Sequence, residues 1–399
     1  MKKLLYLFFA ALSSQVYSQD LIFEDLQDIP VDYISLLTTS AFGNSQIYIN
    51  CGFSNPQVDD LMYYDTITEN WNIIETSEPL LTPLVYANGE VIEVQESLYR
   101  FNGSLNGELN DKLEIIDLNT GEVSFGAINP VPRRAAGSAQ RNFNIYVFGG
   151  CIDPSNSGDP QSYTGDLYYY NYDFDSWTQL ASMPNPRETR GEIVGNKLYA
   201  VGGYNGDVSN KIDVYNISTN QWENQFVMPF SVSAQAMSVS GSIIFIIGDY
   251  VELERIAYFD VENETFVNLT QSNFIGRRHS DVDIIDNKLY ITGGNNASGS
   301  SNYLNSLQRA DLNGILSSNS FEESLKFTIT PNPTSDLIRL PQTLNEIYSY
   351  EIFDSSGKMI VSKSSQNNRE ILLDSLPGGT YFLHIKMSSF SKTFKIIKV

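Results

Sequence analysis

Short apolar runs that each end in glycine recur along most of the chain. Each run contains the β-branched or aromatic side chains that pleated sheets favour, and polar, turn-rich segments separate the runs. Their spacing is roughly 45 to 53 residues, which is the period of a repeat architecture. The runs occupy residues 47–52, 99–103, 145–150, 198–203, 243–248 and 289–294. This pattern predicts an all-β fold built from six repeated units.

A second landmark keeps the same register as the glycine runs. In five consecutive units a short run ends in Asp or Asn, and a large side chain follows six positions later. The pairs are Asp65 and Trp71, Asp117 and Val123, Asn171 and Trp177, Asn216 and Trp222, and Asp260 and Phe266. Two landmarks with one period indicate a true structural repeat.

The double glycine with a downstream Tyr and Trp resembles the repeat of the kelch family, whose repeats are the blades of a β-propeller. The matching residues are Gly149, Gly150, Tyr170, Trp177, Gly202, Gly203, Tyr215, Trp222, Gly293 and Gly294. Units one, two and five depart from the double glycine at Cys51, Asn102 and Asp249. Glycine permits a sharp turn near a crowded centre, and the aromatic rings pack between blades, so we expect these residues to be structural.

The sixth unit lacks an outer strand of its own after Asp311. Near the start of the chain, Phe23, Leu26 and Pro30 have the spacing of Trp177, Leu180 and Pro184. We therefore expect the segment after residue 19 to supply the missing strand and to close a six-bladed propeller over residues 19–312. Closure removes the exposed sheet edges that favour aggregation.

The first 18 residues have the pattern of a secretory signal peptide. Lys2 and Lys3 precede the apolar run 4–12, and small and polar residues lead to a cleavage site near Ser18. The run is shorter than the roughly 20 residues that a membrane-spanning helix needs. We expect an exported protein with no integral membrane segment.

The last 73 residues, 327–399, read as a separate small Ig-like β-sandwich after a polar linker at 313–326. Residues 328–399 carry 8 basic and 6 acidic side chains, which leaves 17 basic and 41 acidic side chains before them. In order, the tail shows Pro331-Asn332-Pro333, a turn near Gly357, the motif 377–381 and a lysine-rich end. This order resembles the type A C-terminal sorting domains of the type IX (Por) secretion system. The resemblance implies that the secretion machinery is a partner and that the sorting signal includes Lys395, Ile396, Ile397, Lys398 and Val399.

Net charge and cysteine content exclude several classes of function. A formal net charge of −22 does not suit nucleic acid, because phosphate binding needs clustered Lys and Arg. The two cysteines, Cys51 and Cys151, are too few for a disulfide framework, and we expect buried free thiols.

Three arginines sit at equivalent positions, where the chain enters an innermost strand. Arg133, Arg187 and Arg277 lie ten or eleven residues after the large side chain of the preceding unit, and Arg190 follows nearby. We expect them on one face around the central channel as candidate ligand-binding residues, since guanidinium groups bind carboxylate or sulfate bidentately. The alternative is that they bridge neighbouring blades and pair with Glu188, Glu192 or Asp281.

No cofactor or metal is expected. The chain has two histidines, His279 and His384, so no histidine cluster forms, which disfavours the copper-dependent kelch oxidases. The loop 153–166 rises on the arginine face and contains three aspartates, but their spacing matches no regular calcium loop.

We interpret the chain as an exported cell-surface or secreted binding protein that presents its propeller to a glycan, peptide or protein. Catalytic residues are not identifiable, and fold alone does not assign an activity. The alternative is a carbohydrate-active enzyme resembling the six-bladed kelch sialic-acid epimerases, with Arg187 or Arg277 beside Glu188 or Glu192.

Overall fold

The computed structural model describes residues 20–43, 45–141, 144–155, 158–297, 302–316, 329, 331–340, 348–354, 359–366, 369–387 and 391–399. Nearly all regular structure in these residues is β-strand, and the predicted propeller architecture is confirmed. The predicted signal peptide, 1–18, lies outside the described residues. No helix in the described part of the chain is both long and apolar enough to cross a membrane.

The propeller has six four-stranded blades, and its first strand, β1 (Leu21–Asp25), belongs to the last of them. The first two blades are joined through one residue pair, Gly52 with Leu84. The first blade contains β2 (Tyr33–Phe42), β3 (Gln46–Asn55), β4 (Leu61–Asp65) and β5 (Asn70–Ile74). The second contains β6 (Leu84–Ile92), β7 (Ser97–Leu105), β9 (Glu114–Asp117) and β10 (Val123–Phe125), with β8 (Glu108–Leu109) paired to β7.

The next three blades are separate antiparallel sheets of four strands. The third contains β11 (Gly137–Arg141), β12 (Asn144–Phe148), β13 (Leu167–Asn171) and β14 (Ser176–Gln179). The fourth contains β15 (Glu188–Val194), β16 (Lys197–Tyr204), β17 (Lys211–Asn216) and β18 (Gln221–Val227). The fifth contains β19 (Ala236–Ser240), β20 (Ile243–Ile247), β21 (Ile256–Asp260) and β22 (Thr265–Asn268). Single 3₁₀ turns occur at Glu93–Gln95 and Pro160–Ser162.

The sixth blade closes the ring as the spacing of the N-terminal residues predicts. It contains β24 (Asp281–Ile285), β25 (Lys288–Thr292), β26 (Leu307–Asp311) and, on its outside, β1, which also pairs with β23 (Gln271–Ser272). Phe23 lies opposite Ala310 in the β1–β26 pair. The ring is therefore closed by a strand from the other end of the propeller sequence.

The cores lie between adjacent blades, where the aromatic landmarks meet. Tyr99 of the second blade and Tyr170 of the third have ring centroids 5.9 Å apart, and Trp177 packs edge-on against Phe101 at 6.2 Å. The indole Nε1 of Trp177 donates to the carbonyl of Ala127, 2.9 Å away. The same bond joins Trp222 to Ala181 and Trp71 to Gln27. Each tryptophan thus ties its blade to the chain that enters it.

The predicted linker begins with a short helix. α1 (Asn313–Leu316) follows β26, and its Ile315 is buried in the core of the last blade. An apolar side chain at this position makes the first turn of the segment part of the propeller. Residues 317–326 lie outside the described residues. Both cysteines are free and buried, as predicted.

The tail forms two small antiparallel sheets. One pairs β27 (Leu337–Arg339) with β30 (Glu370–Leu372), and the other has the order β29 (Met359–Gln366), β28 (Tyr348–Asp354), β31 (Gly379–Met387), β32 (Ser391–Lys398). Tyr381, Leu383 and Ile385 alternate inward along β31 into one core, as the period-two pattern predicts. The predicted turn at 355–357 lies outside the described residues.

Candidate functional site: the propeller channel

A cavity of about 770 Å³ occupies the axis of the propeller. The innermost strands of all six blades line it: β2, β6, β11, β15, β19 and β24. One register position recurs in every blade, opposite a Tyr or Phe of the adjacent strand. The residues at this position are Ser40, Glu90, Ala139, Glu192, Ser238 and Asp283, and all of them line the cavity. The repeat therefore places three carboxylates around one space.

Asp281 joins these three carboxylates and carries the interaction that crosses the channel. Arg190 of the fourth blade donates to Asp281 of the sixth at 2.9 Å and to the carbonyl of Leu37 in the first at 3.3 Å. The backbone N–H of Thr39 donates to the other oxygen of Asp281 at 2.9 Å. Arg190 therefore reaches past the fifth blade and links three blades. Glu90, Glu192, Asp281 and Asp283 are called the carboxylate cluster below.

The hydrogen-bond donors to the other members of the cluster are uncharged. Thr39 Oγ1 donates to Asp283 at 2.5 Å, and Ser138 Oγ donates to Glu90 at 2.6 Å. The salt bridges of the described residues leave Glu90, Glu192 and Asp283 without a cation. When its members are ionised, the cluster therefore carries more negative charge than Arg190 neutralises.

Burial and mutual repulsion raise the pKa values of these carboxyl groups. Burial, and then repulsion from Asp281 and Asp283, raises the pKa of Glu90 to about 7, although the Ser138 hydroxyl opposes the shift. Burial and the neighbouring Asp281 likewise raise the pKa of Asp283 to about 7. The pKa of Glu192 is raised well above its ordinary value by burial and by Glu90, Asp281 and Asp283. Glu90 and Asp283 therefore exchange protons near neutral pH.

One end of the cavity, the channel mouth, is formed by Tyr86, Glu188, Tyr204, Tyr250 and His279. The guanidinium groups of Arg134 and Arg278 stack 3.9 Å from the ring centroids of Tyr86 and Tyr250, respectively. His279 lies edge-on to both rings, with centroids 5.8 and 6.1 Å away. Tyr250 is 50% exposed, and its aromatic ring forms part of the cavity wall.

The main chain at the mouth links successive blades. Tyr86, Ala135, Ala234 and His279 have φ between 49° and 56°, a region that side chains other than glycine rarely adopt. The N–H of Ala135 donates to the carbonyl of Tyr86 at 2.8 Å, and that of His279 donates to Ala234 at 3.0 Å. Gly203, at φ 106°, lies so close to Glu188 that a Cβ there would collide with the Glu188 carbonyl oxygen. Backbone hydrogen bonds therefore join the main chain of successive blades at the mouth.

Two titratable side chains at the mouth have strongly shifted pKa values. Burial, and then the nearby arginines, lowers the pKa of His279 to about 4, so its ring is neutral at pH 7. Burial raises the pKa of Glu188 to about 7, and Arg134 opposes the shift. Glu188 Oε1 is buried and has no hydrogen-bond partner among the described residues. Perturbed groups in a cavity mark a candidate site.

The structure places Arg133, Arg187 and Arg277 inside the blades, not on the channel surface where the repeat predicted them. They are 0%, 1% and 0% exposed and do not line the cavity. Arg133 and Arg277 each donate from Nη1 to the carbonyls of Gly149 and Gly293 at 3.0 Å. Each guanidinium group holds the glycine turn of its own blade by hydrogen bonds, so the contacts of these two arginines are structural.

Arg187 makes the same kind of contact but pairs with a residue that the sequence did not indicate. Its Nε donates to the carbonyl of Gly202, and its Nη1 meets Asp213 Oδ2, both at 2.6 Å. Neither Glu188 nor Glu192 forms a salt bridge among the described residues. Of the four predicted arginines, only Arg190 lines the cavity, where it meets Asp281 as the alternative proposed.

The repeat contains a signal for residues that the sequence analysis did not assign. Asp283 and Glu192 each stand ten residues before the first glycine of a pair, Gly293 and Gly202. Glu90 is the equivalent residue in a degenerate unit. No comparable signal marks Tyr250, which lies in the loop after β20.

The described residues contain no group of three or more His, Cys, Asp or Glu side chains that could hold a metal ion. In the loop 153–166, Asp153 accepts from the N–H of Ser155 and Asp159 from that of Gln161, which are ordinary turn contacts. Gly158 of the same loop lines the cavity, on the face where the loop was expected.

The residues of the predicted sorting signal belong to β32 and the terminus. Ile396 is fully buried in the tail core, whereas Ile397 and Val399 are 42% and 74% exposed. Lys395 lies opposite Phe382, and the N–H of Val399 donates to the carbonyl of Thr334 at 2.9 Å. This edge strand presents Lys395 and Ile397 to solvent.

Comparison with known proteins identifies relatives of the propeller. The chain is 28% identical to human Kelch-like protein 38 over 246 residues, which is 59% of this chain and 39% of that protein. It is 26% identical to Kelch-like protein 25 of Xenopus tropicalis over 172 residues, 42% and 27% of the two chains. It is 25% identical to alpha-scruin of Limulus polyphemus over 200 residues, 47% and 22% of the two chains. The chain thus spans well under half of the length of these relatives.

Two family models match, one for each part of the chain. The secretion system C-terminal sorting domain matches residues 328–399. The KLHDC2/KLHL20/DRC7 Kelch-repeats domain matches residues 37–249, more than half of the chain. With the closed ring and the interblade tryptophans, this match shows that the chain belongs to the kelch-repeat family and carries a C-terminal secretion sorting domain.

Proposed function

We propose that this is an exported binding protein that holds its ligand at the channel mouth of the propeller. The observation that carries the proposal is the axial cavity, which all six blades enclose and which opens beside exposed Tyr250. Concave sites with aromatic walls and a few polar groups are the usual form of a binding site. The ligand is a glycan, a peptide or a segment of a protein at the cell surface.

The sorting domain supports the export part of this proposal. Its family model covers the whole tail from residue 328 to the terminus. We infer that the type IX secretion machinery carries the chain across the outer membrane. The protein then acts at the cell surface or in the medium.

Array screening tests the binding part. The chain from residue 19 onward is applied to glycan and peptide arrays beside the variants Tyr250→Ala and Phe174→Ala. Phe174 is 79% exposed in the turn between β13 and β14, and strand order puts that turn on the opposite face. Signals that Tyr250→Ala abolishes and Phe174→Ala leaves unchanged support the proposal. An equal response of both variants, or no signal on either array, contradicts it.

A sugar-processing enzyme is the second candidate, and Glu188 is the observation that favours it. Its pKa of about 7 and its unpartnered buried oxygen suit a proton-transfer group. Array glycans that bind are incubated with the chain and analysed by NMR. Conversion of a glycan that is lost in Glu188→Gln identifies an enzyme. Glycans that remain unchanged favour the binding protein instead.

A further inference from the structure

The charge of the cavity is opposite to the one that its arginines suggested. Its lining contains five carboxylates, namely Glu90, Glu188, Glu192, Asp281 and Asp283. The cations in the lining are Arg190 and Arg278, since His279 is neutral at pH 7. Five minus two leaves an excess of three carboxylates. When ionised, these groups attract a cation into the channel.

The uncompensated charge is concentrated in the carboxylate cluster. Arg190 is committed to Asp281, while the donors to Glu90 and Asp283 are uncharged: the hydroxyl groups of Ser138 and Thr39, and the backbone N–H of Ala41. A buried charge without a counter-ion costs free energy, and hydroxyl hydrogen bonds offset only part of that cost. A cationic group placed among Glu90, Glu192 and Asp283 would supply the missing positive charge.

The size of the cavity and the positions of its carboxylates favour an organic cation over a metal ion. Metal ions need oxygen ligands that converge within about 2–2.6 Å of one point. The described carboxylates are not grouped in that way, and they surround about 770 Å³. An ammonium group has three hydrogen-bond donors, so it suits acceptors that stand on different blades.

Apolar residues beside the cluster suit the stem of such a ligand. Leu37, Ala139, Met237 and Val282 line the same cavity. Lysine-like stems bury their methylene groups along apolar walls while the ammonium group meets charge.

We propose that the channel binds an aliphatic ammonium group, from a polyamine or from a lysine side chain, with Glu90, Glu192 and Asp283 as its acceptors. This assignment rests on the proposed function of the channel as a binding site. The polyamine and the lysine peptide share the recognising chemistry, and the experiment separates them.

Isothermal titration calorimetry tests the assignment with spermidine and with acetyl-Gly-Lys-Gly-amide, at pH 8 and low salt. The chain from residue 19 is compared with Glu192→Gln and with Glu262→Gln. Glu262 is exposed in the turn before β22, so this control removes the same charge outside the cavity. We expect at least one amine to bind, Glu192→Gln to weaken it tenfold or more, and Glu262→Gln to stay within twofold. The amine that binds more tightly identifies the source.

Three results would overturn the assignment. These are no binding of either amine, equal binding by Glu192→Gln, and equal binding of acetyl-Gly-Gln-Gly-amide, which lacks the ammonium group. Thermal melts of both variants show whether each is folded, and Glu90→Gln serves as a second cluster variant if Glu192→Gln is not. If the arrays reveal a ligand whose binding Tyr250→Ala abolishes, while neither amine binds in calorimetry, only the ammonium assignment is wrong and the proposed function stands.

Discussion

Buried arginine in this propeller has a structural role that is set by its hydrogen bonds. Arg133, Arg187 and Arg277 donate to carbonyls of the glycine turns at Gly149, Gly202 and Gly293, respectively. Burial lowers the pKa of Arg133 to about 10 and that of Arg277 to about 9. Both remain charged at neutral pH, and their charge strengthens the bonds that hold the turns.

Replacing Arg187 by Ala is expected to destabilise the propeller. The substitution leaves Asp213 as a buried carboxylate without its cation, which costs about 3–5 kcal/mol in the free energy of unfolding. Lys197→Ala is the control, because its ion pair with Glu223 is 3.4 Å long and partly exposed and contributes less than about 1 kcal/mol. Urea denaturation measures both. Equal stability of Arg187→Ala and the parent chain would contradict the clamp.

The carboxylate cluster makes stability depend on pH. The folded pKa of Glu90 is about 7, against an ordinary value of 4.5, so between these values the folded chain holds a proton that the unfolded chain releases. Stability from this group therefore falls as the pH rises from 4.5 to 7 and stays constant above 7.

Glu90→Gln is expected to remove this dependence. The amide keeps an acceptor for Ser138 but never ionises, so the variant gains about 2 kcal/mol at pH 8 and little at pH 5. Denaturant unfolding of both chains at the two pH values measures the difference. A variant that is less stable than the parent at pH 8 would show that the carboxylate is not strained.

At the scale of elements, ring closure depends on one short strand. β1 pairs with β26 through three residues and brings Phe23 into the core of the last blade, 4.8 Å from the ring of Phe274. The alternating burial of β1 leaves Ile22 64% exposed. Closure therefore relies on the inward face of β1.

Phe23→Ala should loosen the closure, whereas Ile22→Ala should not. Loss of the buried ring costs about 3–5 kcal/mol, and the exposed side chain costs less than about 0.5 kcal/mol. Hydrogen exchange supplies the local readout, because the amides of β26 lose protection when β1 detaches. Protection of β26 that is identical in both variants would place the closure elsewhere.

At the scale of the whole molecule, the propeller is acidic and the C-terminal strand is basic. The chain has 47 acidic and 25 basic residues, yet the last strand ends in lysines and exposed apolar residues. Such a strand is distinct from the rest of the surface and suits recognition by secretion machinery.

Deletion of residues 328–399 is expected to stop the chain in the periplasm. The predicted signal peptide would still direct passage of the inner membrane, but the matched sorting domain is gone. Immunoblots of periplasm, cell surface and medium measure the distribution, with the full chain as the control. A truncated chain that reaches the medium in the same amount would refute the sorting assignment.

Much of this architecture could be predicted from local spacing. The glycine runs located the second strand of each blade, and the Phe23 spacing located the closing strand. The sequence analysis did not assign α1 at the start of the linker, because the burial of Ile315 depends on its packing in the core of the last blade. The repeat placed Arg133, Arg187 and Arg277 at equivalent positions of their blades, but it did not show that their side chains are buried against the glycine turns. A repeat does not reveal whether a side chain faces the channel or the turn beside it.

The sequence by itself determined the repeat, the number of blades, the closing strand and the sorting tail, because each depends on short-range periodicity or on an ordered set of motifs. Only the tertiary structure decided that Arg190 meets Asp281, 91 residues away, and that Glu90, Glu192 and Asp283 share one cavity. Such contacts arise where six strands converge on an axis. Their distances depend on how the blades pack, which no local pattern along the chain encodes.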